Sequence, residues 1–241
     1  MKKSNPLGCS DGEWQVRCDL AAAFQLCHYF DFCDLVWTHL SARVPGEQAV
    51  FLLNPSGCLF DEVTASNLIK VDIDGHSLDD QPVNPAAFTI HRAVYKAHSR
   101  YNCTVHLHGQ HGGAISALKG GLEPVHNFYF AIGDVSYHDY EGVALDLSER
   151  ETLARDLGDK STCILRNHGL LTFTSTIPEC WSLTYQLETA CQIQIDAMAG
   201  GSPLIELPSS ISDGMYEHYK ARPADERGQR EWRAVLEMLE G

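Results

Sequence analysis

The sequence predicts a single α/β domain, because segments with helical periodicity alternate along the chain with short β-rich runs. A length of 241 residues suits one such domain, and 44% hydrophobic residues suffice for a core of ordinary size. A hairpin pattern around Pro45-Gly46, with β-rich runs on both sides of the turn, adds antiparallel pairing. We divide the chain into a flexible tail over 1–10, a domain over 11–205 and a C-terminal helical tail over 206–241. This helical tail belongs to the same domain or to a subunit interface.

The elements of the N-terminal half follow from apolar spacing and from the turn residues between the runs. Helical spacing separates helices from strands, and Pro85 suits the first turn of a helix. The predicted elements are a helix over 12–32, strands over 35–44 and 49–53, a short helix over 60–68, a strand over 68–73, a helix over 85–98 and a strand over 103–108.

The elements of the C-terminal half are assigned in the same way. Ser148 followed by Glu151 resembles a capping box at the start of a helix. The predicted elements are a helix over 111–119, an aromatic extended segment over 125–137, a helix over 148–157, strands over 161–165 and 170–173, a long helix over 176–198 and one or two charged helices over 213–239.

Charge and cysteine usage narrow the class of protein. A formal net charge of -14 argues against binding to nucleic acid, because such binding needs cations that neutralise phosphates. No apolar run approaches the roughly 20 residues of a membrane span. The nine cysteines are scattered without a CxxC pair, as reduced core residues are. We therefore expect a cytoplasmic protein that binds neither nucleic acid nor membrane.

A pair of histidines at the end of a β-rich run is the strongest chemical signal. His106 and His108 lie two residues apart in a predicted strand, so both imidazoles point to the same face. His168 also follows an apolar run and precedes a glycine, which makes it the best candidate for a third ligand. Three imidazoles leave a position open, as in catalytic metal sites. The alternative is chance, because the chain contains 12 histidines.

With these residues in hand, the chain resembles the class II aldolase/adducin family over about 14–201. This resemblance implies a three-layer α/β/α domain with a mainly antiparallel central sheet, usually assembled as a homotetramer. It also implies that His106, His108 and His168 bind a divalent metal, with zinc expected first and iron or manganese as alternatives. The matching stretches are 38–43 (THLSAR), 54–57 (NPSG), 71–75 (VDIDG), 91–95 (HRAVY), 105–108 (VHLH) and 165–171 (LRNHGLL).

The chain departs from the sugar-phosphate aldolases of that family at the substrate site. The glutamate that serves those enzymes as ligand and base corresponds to Ala87. Two phosphate-binding serines correspond to Pro85 and Ala86, and an asparagine of the first phosphate loop corresponds to His39. Ser56-Gly57 is retained from that loop, and with His39 it forms the predicted substrate-binding set. These replacements are closer to the adducin-like branch and favour an unphosphorylated substrate.

The missing glutamate leaves the catalytic base to be found among other residues. His91 lies one helical turn beyond Ala87 and is the first candidate, although it could instead be a buried histidine packed beside Tyr95. Tyr137 and Asp139 are the next candidates, and their alternative is a surface turn.

Three more residues receive supporting roles. Arg166 and Asn167 flank His168 and could orient it. Arg43 could bind a substrate carboxylate, or it could hold a structural one.

The function predicted from these features is that of a metal-dependent lyase. Its substrate would be a small, unphosphorylated carbonyl or hydroxy-acid compound, cleaved by retro-aldol reaction or decarboxylated through a metal-stabilised enediolate. Two alternatives remain open: a non-haem iron oxygenase on the same fold, and a non-catalytic oligomerisation module like the adducin head.

Overall fold

The central sheet has seven strands in a computed structural model that describes residues 5–142 and 149–240. The strands are β1 (His39–Val44), β2 (Glu47–Leu53), β3 (Ile69–Asp72), β4 (Cys103–Leu107), β5 (Ser136–His138), β6 (Thr162–Leu165) and β7 (Gly169–Thr174). Their order in the sheet is β3-β2-β1-β4-β7-β6-β5. In the described sheet, β5 and β6 run parallel and the five other neighbouring pairs are antiparallel. The predicted α/β fold with a mainly antiparallel sheet is confirmed.

Helices cover both faces of the sheet. They are α1 (Asp11–Tyr29), α2 (Pro85–Ala97), α3 (Gln110–Ser116), α4 (Tyr129–Ile132), α5 (Glu149–Leu157), α6 (Ile177–Ala199), α7 (Ser209–Lys220) and α8 (Gln229–Glu240). Neighbouring residues of a strand point to opposite faces. Accordingly, Leu52 packs with α1 and α6, whereas Phe51 packs with α2 on the other side. Two helical layers with a sheet between them therefore form the domain.

The segment over 125–137 differs from the extended structure predicted for it. Residues 129–132 form the short helix α4, and only Ser136–His138 form a strand. The aromatic side chains that suggested a strand pack instead against distant helices, with Phe130 in edge contact with Tyr219 of α7 at 5.7 Å between ring centroids. Local composition therefore gave the wrong element type here, because a contact almost 90 residues away decides it.

Three further predictions concern short or terminal segments. The short helix predicted over 60–68 is a single 3-10 turn at Phe60–Glu62. The charged C-terminal segment forms two helices, α7 and α8. The capping box predicted at Ser148 lies outside the described residues.

The C-terminal helices pack on the rest of the domain. Trp232 of α8 is buried against Trp181 of α6, and their ring centroids are 6.1 Å apart. Tyr219 of α7 is buried beside α4 and α6. The division of the chain at 205 stays a prediction. Among the described helices, none has the length and apolar character needed to cross a bilayer.

Candidate metal centre

Three histidines converge at one end of the central strands. His106 lies in β4, His108 follows that strand, and His168 lies in the turn between β6 and β7. Because β4 pairs with β7, with Leu107 opposite Leu170, the end of one strand meets the turn that precedes the other. One nitrogen atom from each of the three imidazoles lies within 4.8 Å of the corresponding atoms of the other two. The predicted ligand set is therefore brought together by the sheet register.

The hydrogen bonds of His106 and His108 engage Nδ1 and leave Nε2 available to bind a metal. The Nδ1–H of His106 donates to the carbonyl of Leu170, and that of His108 donates to the carboxylate of Asp34, both at 3.0 Å. A carbonyl and a carboxylate can only accept, so in both rings the proton is on Nδ1 and Nε2 carries the lone pair. The two Nε2 atoms face each other at 3.0 Å. Two facing lone pairs repel unless a cation lies between them, so this arrangement fits a divalent metal.

The surroundings of His106 and His168 favour the neutral imidazole, the form that binds a metal. Burial lowers the pKa of His106 well below its usual range, and the neighbouring His39, His168 and His108 lower it further. Burial also lowers the pKa of His168 to about 4, with smaller contributions from His108 and His138. Both rings therefore carry a free lone pair at neutral pH.

Arg166 and Asn167 hold the turn that carries His168. Asn167 has a φ of 54°, a left-handed conformation that asparagine tolerates well, and its N–H donates to the carbonyl of Ser116 at 3.2 Å. The guanidinium of Arg166 donates to the carbonyl of Leu118 at 2.6 Å and lies over the ring of Tyr137. Their predicted orienting role stays a prediction, and these contacts show how they would exert it.

His39 and His91 form a buried chain of hydrogen bonds beside the cluster. The ring of His39 lies 4.9 Å from that of His106, and its Nδ1 is 2.6 Å from Nε2 of His91. His91 in turn contacts the hydroxyl of Ser41, which contacts that of Tyr95. Burial, with a smaller contribution from His106, lowers the pKa of His91 to about 3. Among the described hydrogen bonds, the one with His39 links His91 to the side of the cluster.

Arg43 is not brought to the cluster. It lies four residues beyond His39 on β1, or about 13 Å along an extended strand. Its guanidinium donates to the backbone carbonyls of Tyr95, Tyr101 and Gln48. These contacts tie β1 to β2, to α2 and to the segment that precedes β4, and the substrate-binding role of Arg43 stays a prediction.

The two other predicted catalytic residues have different positions. The hydroxyl of Tyr137 accepts the N–H of Leu122 at 3.0 Å, and its ring packs toward α3 and α6, on the sheet face opposite His138. Asp139 is exposed and lines a small cavity beside His168. Alternation along β5 therefore separates Tyr137 from the cluster, whereas Asp139 borders it.

The predicted substrate loop lies at the same end of the central strands as the histidines. Leu53, the last residue of β2, pairs with Ser41, so the turn that follows lies near the start of β1. Ser56 and Gly57 are exposed in this turn, and Gly57 has a φ of 77°. They remain candidates for substrate binding.

Several functional candidates were not found from the sequence. Glu188 of α6 is buried, and its carboxylate accepts the N–H groups of His111 and Gly112 at 3.0 and 3.1 Å. A Cβ on Gly109 would lie 2.4 Å from that carboxylate, so this glycine makes room for it. Gly109 and Gly112 indicated open space beside the backbone, but the sequence does not reveal that Glu188 occupies it. Asp34, the partner of His108, gave no signal.

A second pair, His138 with Asp156, was also missed. Nδ1 of His138 is 2.9 Å from Oδ2 of Asp156. Its neighbours Tyr137 and Asp139 were predicted as site residues, but His138 was not, because its burial depends on contacts with α5.

Comparison with known proteins agrees with this geometry. A family model described as the class II aldolase and adducin N-terminal domain matches residues 18–195. The chain belongs to the class II aldolase/adducin family. Class II aldolases use a divalent metal, and members of the family are often oligomeric and act on small molecules. The predicted family membership is confirmed.

Individual relatives cover most of this chain. An aldolase II superfamily protein from Pseudomonas syringae is 45% identical, with a TM-score of 0.91 over 97% of this chain and 95% of that one. The L-fuculose 1-phosphate aldolase from Glaciozyma antarctica PI12 is 27% identical, with a TM-score of 0.84 over 100% and 96%. Mouse alpha-adducin is 36% identical over 100% of this chain, which spans 35% of the adducin length.

Proposed function

We propose that this protein is a metal-dependent lyase that cleaves or decarboxylates a small, unphosphorylated carbonyl or hydroxy-acid compound. The observation that carries the proposal is the convergence of His106, His108 and His168, with the outer nitrogens of two of them held by Leu170 and Asp34. A divalent ion, zinc in the first place, would supply Lewis acidity that polarises a carbonyl and stabilises the charge that develops on its oxygen.

The start of α2 supports an unphosphorylated substrate. Helix N-termini bind phosphate through free backbone N–H groups. Here the side chain of Asn84 accepts the N–H groups of Ala86 and Ala87 at 3.0 and 3.4 Å, and Pro85 has no N–H to offer. Ala87 is 1% exposed and brings neither charge nor hydroxyl. This helix end is therefore already capped by the chain itself.

Proton handling is assigned to His39 and His91. Their ring nitrogens are 2.6 Å apart and share one proton position, next to the ring of His106. His91 is fully buried, and its Nδ1 is hydrogen-bonded to the hydroxyl of Ser41. We propose that His39 exchanges a proton with the substrate and that His91 fixes its orientation. Asp139 remains a further candidate because it borders His168.

Metal content tests the proposal directly. We expect freshly purified protein to contain about one divalent ion per chain, and His106→Ala, His108→Ala and His168→Ala to lose most of it, because each removes one of three ligands. His76→Ala is the matched control, since its ring is 76% exposed. Elemental analysis measures the content. Stoichiometric metal in any two of the three ligand variants would refute the assignment.

Substrate range is tested with sugar phosphates. We expect metal-loaded protein to cleave L-fuculose 1-phosphate, L-rhamnulose 1-phosphate and L-ribulose 5-phosphate far more slowly than about 1 per second, an ordinary enzyme rate. The reason is that loss of a general base typically costs 10²–10⁴ in rate and Ala87 replaces that base. A coupled assay of the triose or aldehyde product measures the rate. Rapid turnover of any one of them would contradict the unphosphorylated substrate class.

A non-catalytic module is the second candidate function, favoured by the 36% identity to mouse alpha-adducin over the whole chain. Metal content separates the two functions. A chain that purifies without metal, and does not take up zinc in equilibrium dialysis, would favour the module. Iron with oxygen consumption would instead favour an oxygenase.

A further inference from the structure

His138 has one nitrogen engaged and one without a partner. Its Nδ1 lies 2.9 Å from the carboxylate of Asp156 on α5, and its ring is 4% exposed. Because a carboxylate accepts, the proton is on Nδ1 and Nε2 is the acceptor. Nε2 is buried and has no hydrogen-bond partner among the described residues. Buried acceptors of this kind are rare in native proteins and call for an explanation.

The unpartnered nitrogen belongs to a ring beside the candidate metal centre. His138 and His168 line the same small cavity, with Asp139 and Tyr140 at its edge. The carbonyl of His138 accepts the N–H of Arg166 at 2.8 Å, which ties His138 to the base of the turn that carries His168. Tyr140 is 54% exposed, with its ring centroid 6.1 Å from that of His168. The cavity thus lies between His168 and the exposed side chains of Asp139 and Tyr140.

A purely structural role explains only one of the two ring nitrogens of His138. The Nδ1–H contact with Asp156 joins β5 to α5, but Nε2 stays buried without a hydrogen-bond partner among the described residues. An aromatic acceptor with its other side held by a carboxylate is instead suited to bind a donor group that enters from the cavity.

We propose that Nε2 of His138 accepts a hydrogen bond from a hydroxyl group of the substrate, and that Asp156 positions the ring for this contact. This inference rests on the proposed function and deepens it. It assigns the substrate to the hydroxylated carbonyl compounds, with a hydroxyl group beyond the oxygen atoms that a metal at the three histidines would bind. A site built to accept from a hydroxyl discriminates strongly against analogues without one.

Hydroxamates test the proposal by binding alone, because they chelate metals through a carbonyl and an adjacent oxygen. The probes are acetohydroxamate, glycolohydroxamate and both enantiomers of glycerohydroxamate, which add one or two hydroxyl groups. Calorimetry measures Kd for zinc-loaded wild type, after elemental analysis has verified the loading. We expect at least one hydroxylated probe to bind about tenfold tighter than acetohydroxamate.

The variants localise that gain. In His138→Ala the tenfold gain should disappear while the Kd of acetohydroxamate changes less than twofold. His138→Gln should recover part of it, because the glutamine oxygen can lie near the position of Nε2. Asp156→Asn should lose part of it, since the ring is held less firmly. His76→Ala is the control: its Nδ1 also lies 2.9 Å from a carboxylate, that of Asp72, but the pair is exposed.

The outcomes are distinct. An equal gain in wild type and His138→Ala, or no gain with any hydroxylated probe, would overturn the inference and leave the lyase proposal intact. If zinc-loaded wild type does not bind acetohydroxamate, the proposed function fails and the inference fails with it. His138→Gln provides the answer if the alanine variant does not fold, as judged by thermal melting.

Discussion

At the scale of single residues, burial decides what a histidine does in this protein. His76, His108 and His138 each hold an aspartate through Nδ1 at 2.9 to 3.0 Å. His76 is exposed, and its pair is an ordinary surface contact whose energy is small. His108 belongs to the cluster, where the same contact leaves its Nε2 facing that of His106, and His138 lies beside the cluster. Sequence spacing alone does not separate these cases.

Glu179 gives a pH-dependent prediction at this scale. It is 3% exposed, and burial raises its pKa to about 7, outweighing the opposite effects of Arg227, 2.8 Å away, and Ser175. The folded state therefore binds a proton more readily than the unfolded state, whose pKa is near 4.5. The resulting stabilisation is complete below pH 4.5 and is lost as the pH rises to about 7.

Glu179→Gln should remove this dependence, because glutamine does not titrate. When the pH is raised from 4.5 to 8, the free energy of unfolding of the wild type should fall by about 3 kcal/mol more than that of the variant. Urea unfolding at both pH values measures it, and the exposed Glu217→Gln serves as control. A difference that does not change with pH would show that Glu179 is charged throughout.

At the scale of elements, three of the described helices begin at residues whose side chains cap them. Ser10, Asn84 and Thr176 each accept a backbone N–H from the first turn of α1, α2 and α6. Such caps involve residues within three positions of each other and can be recognised without tertiary information. The predicted element type was wrong over 129–132, where distant packing dominates, and the helix predicted over 60–68 is a single 3-10 turn.

The cap of α2 can be tested by substitution. Asn84→Ala should lower the free energy of unfolding by about 1 kcal/mol, because two N–H groups lose their acceptor, whereas Asn84→Gly should cost only a few tenths. Urea unfolding measures both. Metal content should be unchanged, since Asn84 does not contact the histidines. Equal stability of the wild type and the alanine variant would mean that solvent caps the helix as well.

At the scale of the whole molecule, large apolar side chains remain exposed near the candidate metal centre. Leu35 and Trp37 are 67% and 64% exposed, and they follow Asp34, the partner of His108, in the same loop. A stable monomer rarely exposes such side chains together, which agrees with an oligomeric family. The homotetramer implied by the resemblance remains a prediction.

Light scattering tests this prediction. We expect a mass of about four times the 26.7 kDa of one chain at micromolar concentration, because the exposed apolar surface would be buried between subunits. Measurements over a hundredfold range of concentration provide the control. A mass of one chain throughout would contradict the assembly.

The sequence by itself determined the α/β class, most element positions and the three histidines of the cluster. It could do so because strand alternation and helix caps depend on neighbours in the chain. Only the tertiary structure decided which side chains surround that cluster. Strand register brought His39 beside His106 and left Arg43 at the far end of β1. Packing of α5 and α6 added the carboxylates of Asp156 and Glu188 from more than 15 residues away, because contacts between elements depend on the folded sheet.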